Sequence, residues 1–598
     1  MVGSELVAQL LPPGFGICGA NRRNQRLGGI LDAGQWHSQG HELKSRSFAR
    51  GPSSAHFGVS LDQGLSGDHP APTRVFPLKS VRLVIVHHHF RPGGVRRVIE
   101  LATPHLVSHW PEPIRTVVLA AGEAPEAAWL RRFRKELPDV RVQVVVQPSF
   151  GYRSEMMETG SVWKRRVEEG ISALVRLSMR EDCLVWAHNL GLGRNLELAH
   201  KLTQACHSGG IPLVAHHHDW WFENRWHHFT ANRSPGFQTL PAVANAVLPA
   251  SPYIYHAAIN RADAVVLRRH FHNQADWLPN PVMPPARVPA RRVAAARAWL
   301  QRQLNDKAPV WLLPCRLLRR KNIGEALLLT RWLRPQAWLV TTGDCSSTEE
   351  TTYARTLADA ARKGRWRLRL GVLRDRETTS PSVPELLAAC EAVMFTSLQE
   401  GFGLPYLEAV AARRPLVARE LPNIAPDLAE FGFAFPQSYR EVYVAPELFD
   451  WRSERERQAR RFAQWIRVMP DAAARLAGKP AVLAGGKKPR PVPFSRLTLA
   501  AQLEVLAQPI ERSWERCLPL NPFLERWRQR AAAGDLETAP WPPRAESWLS
   551  GHAYAQRFLS LVSPRRGEVP EPGAGQAAQA EFLRRKLHAD YLYPLLWS

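Results

Sequence analysis

Glu400 and Glu408 frame the segment Glu400-Gly401-Phe402-Gly403-Leu404-Pro405-Tyr406-Leu407-Glu408, an E-x7-E spacing with a Gly-Phe-Gly turn inside it. Directly before it lies the strand-like run Ala392-Val393-Met394-Phe395-Thr396. That order reads as strand, glycine turn, helix. Glycines allow a ligand to approach the backbone closely, and a helix start offers unpaired N–H groups at the positive end of its dipole, which is a site for anions. Two carboxylates beside it can accept hydrogen bonds from hydroxyls. A molecule carrying both phosphates and sugar rings, such as a nucleotide sugar, suits that combination.

The elements that must position this segment are legible as alternating apolar runs and helical stretches. The first set of strand-like runs is Val81–Val86, Arg115–Ala120, Val140–Val146, Leu184–Ala187, Leu213–Ala215 and Ala264–Leu267. Leu278-Pro279-Asn280-Pro281-Val282 and the proline-rich 284–289 read as a linker. A second set follows at Val310–Leu313, Trp338–Thr341, Leu368–Gly371, Val393–Phe395 and Leu416–Ala418. Such alternation predicts parallel βαβ units. The expected fold is therefore α/β, with two Rossmann-like domains over 79–283 and 284–440 that face each other across a cleft and bind ligands at the carboxyl ends of their strands. Residues 1–78, rich in Gly, Ser, Pro and Arg without periodicity, are expected to be a disordered extension. Residues 441–598 read as a mainly helical extension packing partly back on the core, with one helix over Arg452–Arg467.

On the E-x7-E frame with its internal Gly-Phe-Gly, the chain resembles the family 4 type of retaining glycosyltransferase, whose two-Rossmann fold is called GT-B. The resemblance spans roughly residues 81–435. It implies that Arg316 and Lys321, five positions apart after the first strand of the second domain, grip the donor diphosphate. There a guanidinium fork and an ammonium would stabilise charge building on the leaving group. It implies further that Glu408 holds the ribose hydroxyls, and that Glu400 with the turn Gly401, Phe402, Gly403 and Leu404 orients the transferred sugar. The neighbouring Arg319 and Arg320 read as surface charge.

Within the first domain, Gly93 and Gly94 follow the opening strand and resemble the family's glycine loop beside the donor phosphate or acceptor. His218 and Asp219, in Leu213-Val214-Ala215-His216-His217-His218-Asp219-Trp220-Trp221-Phe222-Glu223, match the family's His-Asp at the transferred sugar. Gly343, in Thr342-Gly343-Asp344, and the stretch Gly371-Val372-Leu373 fall where the family contacts the nucleotide base. Asn189 and Asn195 end a strand toward the presumed cleft, where Asn also serves as a loop or capping residue. Retention of configuration, independence of metal and the absence of any cofactor besides the nucleotide-sugar substrate are what the resemblance implies. The acceptor would be a hydroxyl of a glycan, a lipid or a small molecule.

Two histidine triplets, His87-His88-His89 and His216-His217-His218, raise the possibility of a metal site. Adjacent residues at a strand end point in opposite directions, so one triplet cannot present three ligands on one face; no metal is expected. The seven cysteines are scattered without a C-x-x-C pair, which argues against zinc knuckles and a disulfide framework. A nucleotide-sugar epimerase would share the architecture, but the order Arg316, Lys321, Glu400, Glu408 favours transfer. The net charge of +25 attracts anions in general, including an anionic membrane face. A basic nucleic-acid-binding protein is disfavoured by the lack of an aromatic RNA-binding motif, a zinc finger or a lysine arm. The stretch Trp129–Leu137 is basic and amphipathic, suited either to an anionic bilayer surface or, preferably, to packing of Leu130, Phe133 and Leu137 on the sheet. No apolar run nears the ~20 residues of a membrane span, and residues 1–20 lack a signal-peptide pattern. The expected location is the cytoplasm, with membrane association at its inner face as an option the charge allows.

Overall fold

The computed structural model describes residues 81–598 except 157–159, 179–181, 224–225, 227–235, 284–286, 346–347, 375–379, 564–568 and 598. The expected disorder of residues 1–78 lies outside the described residues, as does part of the proline-rich linker.

Two parallel sheets organise the chain, as a doubly wound, two-domain GT-B fold requires. The first has seven strands in the order β3-β2-β1-β4-β5-β6-β7: β1 Val81–Val86, β2 Ile114–Ala121, β3 Arg141–Val146, β4 Asp182–His188, β5 Leu213–His217, β6 Ile254–Ala258 and β7 Ala275–Trp277. The second has six in the order β10-β9-β8-β11-β12-β13: β8 Val310–Leu313, β9 Trp338–Thr341, β10 Leu368–Arg369, β11 Ala392–Phe395, β12 Leu416–Arg419 and β13 Gln437–Tyr439. β1, β8 and β11 are buried along their whole length, as expected of strands covered by helices on both faces. In both sheets the winding reverses beside the first strand, between β1 and β4 and between β8 and β11. Loops leaving a parallel sheet at such a switch point open a crevice. The turns carrying Lys321 and Glu400 follow β8 and β11 and so lie side by side.

One strand expectation fails. Ala264–Leu267 lies inside a helix, Arg261–Phe271, capped by Asn260, whose side chain accepts from the Asp263 N–H at 2.8 Å. Ala264, Leu267 and Phe271 all face the core, and a four-residue apolar run cannot by itself tell a buried helix face from a strand. β6, with Tyr and His among its five residues, and the three-residue β7 take the outer positions of the sheet instead.

The basic stretch forms the helix Ala127–Lys135. Trp129 and Phe133 are buried, and Trp129 stacks on Phe90 at 5.6 Å, so its apolar side is taken up by the sheet. Among the described residues no helix is long and apolar enough to cross a membrane.

Beyond residue 440 the chain is mostly helical. Helices Leu499–Ala507, Ile510–Cys517 and Phe523–Ala533 pack on Ile323–Leu333 beside the second sheet. Gly551–Val562 then lies along Gly94–His109, and Ala574–Lys586 on Leu240–Val247 and Arg261–Phe271, both beside the first sheet. Tyr554 and Phe558 enter the first-sheet core against the Trp186 indole. The turn Pro594–Leu596 finally returns to the Arg319–Lys321 turn.

Candidate functional site

After β8 the chain makes a short turn, Arg319–Lys321, and Asn322 in the left-handed region (φ 51°) starts the helix Ile323–Leu333. This turn is stitched to the end of β11: the Leu398 N–H donates to the Arg320 carbonyl at 2.7 Å, and the Thr396 hydroxyl donates to the Lys321 carbonyl at 2.9 Å. The backbone thereby aims both cations at Glu400. Lys321 Nζ pairs with Glu400 Oε1, while Arg320 Nη1 donates to Glu400 Oε2 at 2.8 Å and to the Gln399 carbonyl at 2.7 Å. Burial alone would raise the Glu400 pKa, but Arg320 and Lys321 outweigh it and hold it down to about 2. Glu400 is therefore a fixed anion within a basic clamp.

Arg320, which the sequence reads as surface charge, is a member of this cluster. Arg319 instead donates its backbone N–H to Glu350. Arg316 is exposed, and its backbone lies against Gly343, where an added Cβ would come to 3.3 Å from Arg316 Cα. The Gly343 N–H donates to Cys315 O at 2.8 Å, joining these two loops at the strand ends. Gly371 (φ 63°) follows beside Gly343.

Gly403 adopts φ 81° and opens the helix Leu404–Ala411 without a side-chain cap; Pro405 has no N–H and the Tyr406 N–H donates to the Gly403 carbonyl at 3.0 Å, which leaves the Leu404 N–H as the donor at the helix start. Phe402 is buried beneath the turn. Glu408 lies one helical turn further on. Burial raises its pKa, against the pull of Lys321 and of Arg97 from the first domain. Gly94, Arg97, Leu404 and Glu408 line one crevice of about 1420 Å³ that also touches the linker at Asn280–Met283. Gly93 precedes the first turn of the helix Gly94–His109, and open space surrounds Gly94 where a side chain would stand.

From the first domain, the His218–Asp219 turn meets the Glu400 turn directly. A Cβ on Gly401 would lie 2.6 Å from the His218 carbonyl oxygen. Asn189, left-handed at φ 61°, holds that turn: its Oδ1 accepts from the N–H groups of His218 (3.0 Å) and Asp219 (3.2 Å). The Asp219 carboxylate adds to the field that keeps Arg320 charged. Asn195 caps the helix Leu196–Ser208 and ties down the carbonyls of Ser149 and Gly151.

The His218 ring turns away from Gly401 into a buried histidine group. Its Nε2 is 3.0 Å from His188 Nδ1, and its centroid lies 4.4 Å from that of His216. His217, on the opposite face of β5, stacks instead on Trp220 and His256. Burial, reinforced by the neighbouring rings, lowers the pKa values of His188 and His218 well below 6.5, and burial brings His216 to about 3. All three are neutral.

A second bridge between the domains went unread in the sequence. Gln399 Nε2 donates to Glu223 Oε2 at 3.1 Å, and Glu223 Oε1 accepts from Lys586 Nζ at 2.7 Å, which also lies 3.3 Å from Asp263 Oδ1. Glu223 and Gln399 each neighbour a recognised motif, but pairing between residues so distant in sequence has no local signal.

Comparison with known proteins agrees with this geometry at the level of class. The family model described as glycosyl transferases group 1 matches residues 331–442, a stretch that contains Glu400, the glycine turn and Glu408 but not Arg316 or Lys321. A mannosylglucosyl-3-phosphoglycerate synthase of Petrotoga mobilis is 23% identical over 357 residues, 57% of this chain and 65% of the relative's length. The chain thus spans less than two thirds of that relative. A mannosylglucosylglycerate synthase of the same organism is 22% identical over 334 residues, 49% of this chain and 73% of the relative. Among solved structures, Anabaena HepE in complex with UDP-glucose is similar at 16% identity over 76% of this chain and 98% of that one, TM-score 0.42. A glycosyltransferase from Rickettsia africae is similar at 11% identity over 81% and 98%, TM-score 0.44. The family match and the curated relatives support glycosyltransferase function.

Proposed function

We propose that the protein transfers a sugar from a nucleotide-diphosphate sugar to a hydroxyl acceptor with retention of configuration. The observation that carries this reading is the Glu400 carboxylate, clamped by Arg320 and Lys321 at the switch point of the second sheet and set against the His218–Asp219 turn of the first. In this reading the Leu404 N–H at the start of the helix Leu404–Ala411 and Lys321 receive the diphosphate, with Arg316 closing on it from the exposed side. Charge building on the departing diphosphate is stabilised by these fixed cations, and that stabilisation grows from ground state to transition state. Glu408 accepts from the ribose hydroxyls. Glu400 and the amides of the Gly401–Gly403 turn orient the transferred sugar, whose opposite wall is the His218–Asp219 turn. Gly93 and Gly94 leave room for phosphate or acceptor at the other edge, and Gly343 faces the base.

The two Petrotoga relatives are named as synthases of glycosylated glycerate and phosphoglycerate. We extend from them that the acceptor is a small hydroxylated glycoside, for which the crevice beside Arg97 and Glu408 offers space.

Titration calorimetry with a panel of nucleoside diphosphates, followed by transfer assays with the matching sugars and NMR of the product's anomeric centre, tests the reading. Tight binding of one diphosphate and a product of unchanged anomeric configuration are expected. An inverted product would remove retention, and failure to bind any nucleoside diphosphate would remove the donor assignment.

A further inference from the structure

We propose that His188, His216 and His218 form a transition-metal site beneath the cleft wall. The three side chains come from two neighbouring strands and the turn that leaves the second. His188 ends β4 and pairs across the sheet with His216 on β5. His216 and His218 are two residues apart, so they share a face while His217 points the other way. The argument from one triplet does not reach this arrangement, because the third imidazole comes from another strand. One ligand nitrogen from each of the three lies within 4.8 Å of the others, and all three residues are buried.

Hydrogen bonding leaves this group incomplete. The contact between His188 Nδ1 and His218 Nε2 uses one donor and one acceptor. His216 Nε2 is buried with no partner among the described residues, an unfavourable state for polar nitrogen. Three neutral imidazoles converging in a water-excluded space are the ligand set of a cation that prefers nitrogen. A tetrahedral site with bonds near 2.0–2.1 Å sets its nitrogens roughly 3.3 Å apart, and the separations here are 4.8 Å or less. The ligands are all nitrogen, which selects zinc or a neighbouring transition ion over magnesium or calcium, both of which need oxygen. The Tyr554 hydroxyl, 3.5 Å from His216 Nδ1, stands where an outer partner would orient that ring. A metal here would tie the ends of β4 and β5 to the turn that carries Asp219. Its role would be to hold the cleft wall, and it would take no part in sugar transfer.

The test uses the full-length chain without an affinity tag. Metal-depleted protein is titrated with Co²⁺ and followed by its visible absorption, and the Zn²⁺-loaded protein is examined by X-ray absorption. One equivalent of Co²⁺ is expected in the wild type, with a rise of several degrees in melting temperature. The same is expected in His256→Gln, which alters the histidine pair on the other face. Both effects should vanish in His216→Asn. X-ray absorption on the wild type, which needs no variant to fold, should count three imidazole nitrogens. Failure to bind one equivalent, equal Co²⁺ spectra in wild type and His216→Asn, or a zinc shell with fewer than two imidazoles would each overturn the site.

Discussion

The main chain at Gly401 touches the carbonyl of His218 so closely that a β-carbon on the glycine would stand 2.6 Å from that oxygen. Backbone meets backbone there, so neither side can rotate away. Gly401→Ala should force the two turns apart and lower turnover about tenfold to a hundredfold, as sub-ångström misplacement at a reacting centre does. The melting temperature should stay near that of the wild type. Wild-type turnover in this variant would show that the contact does not set the site's geometry.

Lys321→Ala should lower turnover on the order of a hundredfold, because a cation beside a developing diphosphate acts mainly in the transition state. Arg320→Ala tests the cluster member that looked like surface charge, and a drop of at least tenfold is expected. Both variants should also flatten the acid fall in stability, with the largest loss against the wild type near pH 5 and convergence toward pH 2. Glu400, held near 2 in the folded state, contributes stability that is present above the unfolded glutamate value of about 4.3 and is lost as pH falls toward 2. Denaturation curves between pH 5 and 2 would show it.

Glu408→Ala should weaken nucleoside diphosphate binding, since a carboxylate on ribose acts in ground and transition states alike. Glu400→Ala should depress turnover more than nucleotide affinity. Calorimetry on both variants distinguishes them, and unchanged affinity in Glu408→Ala would sink its assignment.

Asp427 accepts from the Arg261 N–H at 3.0 Å across the domain boundary, and burial raises its pKa to about 7. A carboxyl group raised in this way binds its proton in the folded chain when the unfolded one has released it. Stability should therefore fall as pH climbs from about 4 to 7. Its buried Oδ1 has no partner among the described residues. Asp427→Asn keeps the acceptor and removes the charge, so its melting temperature should exceed the wild type's at pH 8 and converge with it as pH falls to about 4. Parallel pH profiles for the two proteins would refute this.

Lys586 is closed in by Glu223 and Asp263, and burial would lower its pKa had these carboxylates not raised it. Lys586→Met leaves two buried carboxylates without their cation, a change that costs about 3–5 kcal/mol. Chemical denaturation should show a lower midpoint at an unchanged slope.

The second domain was the more legible half. β8 and β9 lie where their apolar runs predict, and the glycine turn between Glu400 and Glu408 has the strand-turn-helix order that its residues imply. Each of those signals is local. The errors fall where local signals compete or are missing. Ala264–Leu267 is apolar in either a helix or a strand, and only the Asn260 cap separates the two. Arg320 cannot be told from Arg319 until the turn is stitched to β11 and one points at Glu400 while the other does not. The inward turn of the His218 ring depends on His188, thirty positions earlier in the chain.

Tyr554 and Phe558, from the far end of the chain, fill space against Trp186 in the middle of the first sheet. During synthesis the strands of that sheet emerge well before the helix that covers them. For the time it takes to make the intervening residues, at a handful to some twenty per second, the nascent first domain must wait with an apolar surface uncovered. The same dependence should make this domain a poor candidate for expression by itself: severed after the linker, it would keep its strands and lose the indole's cover.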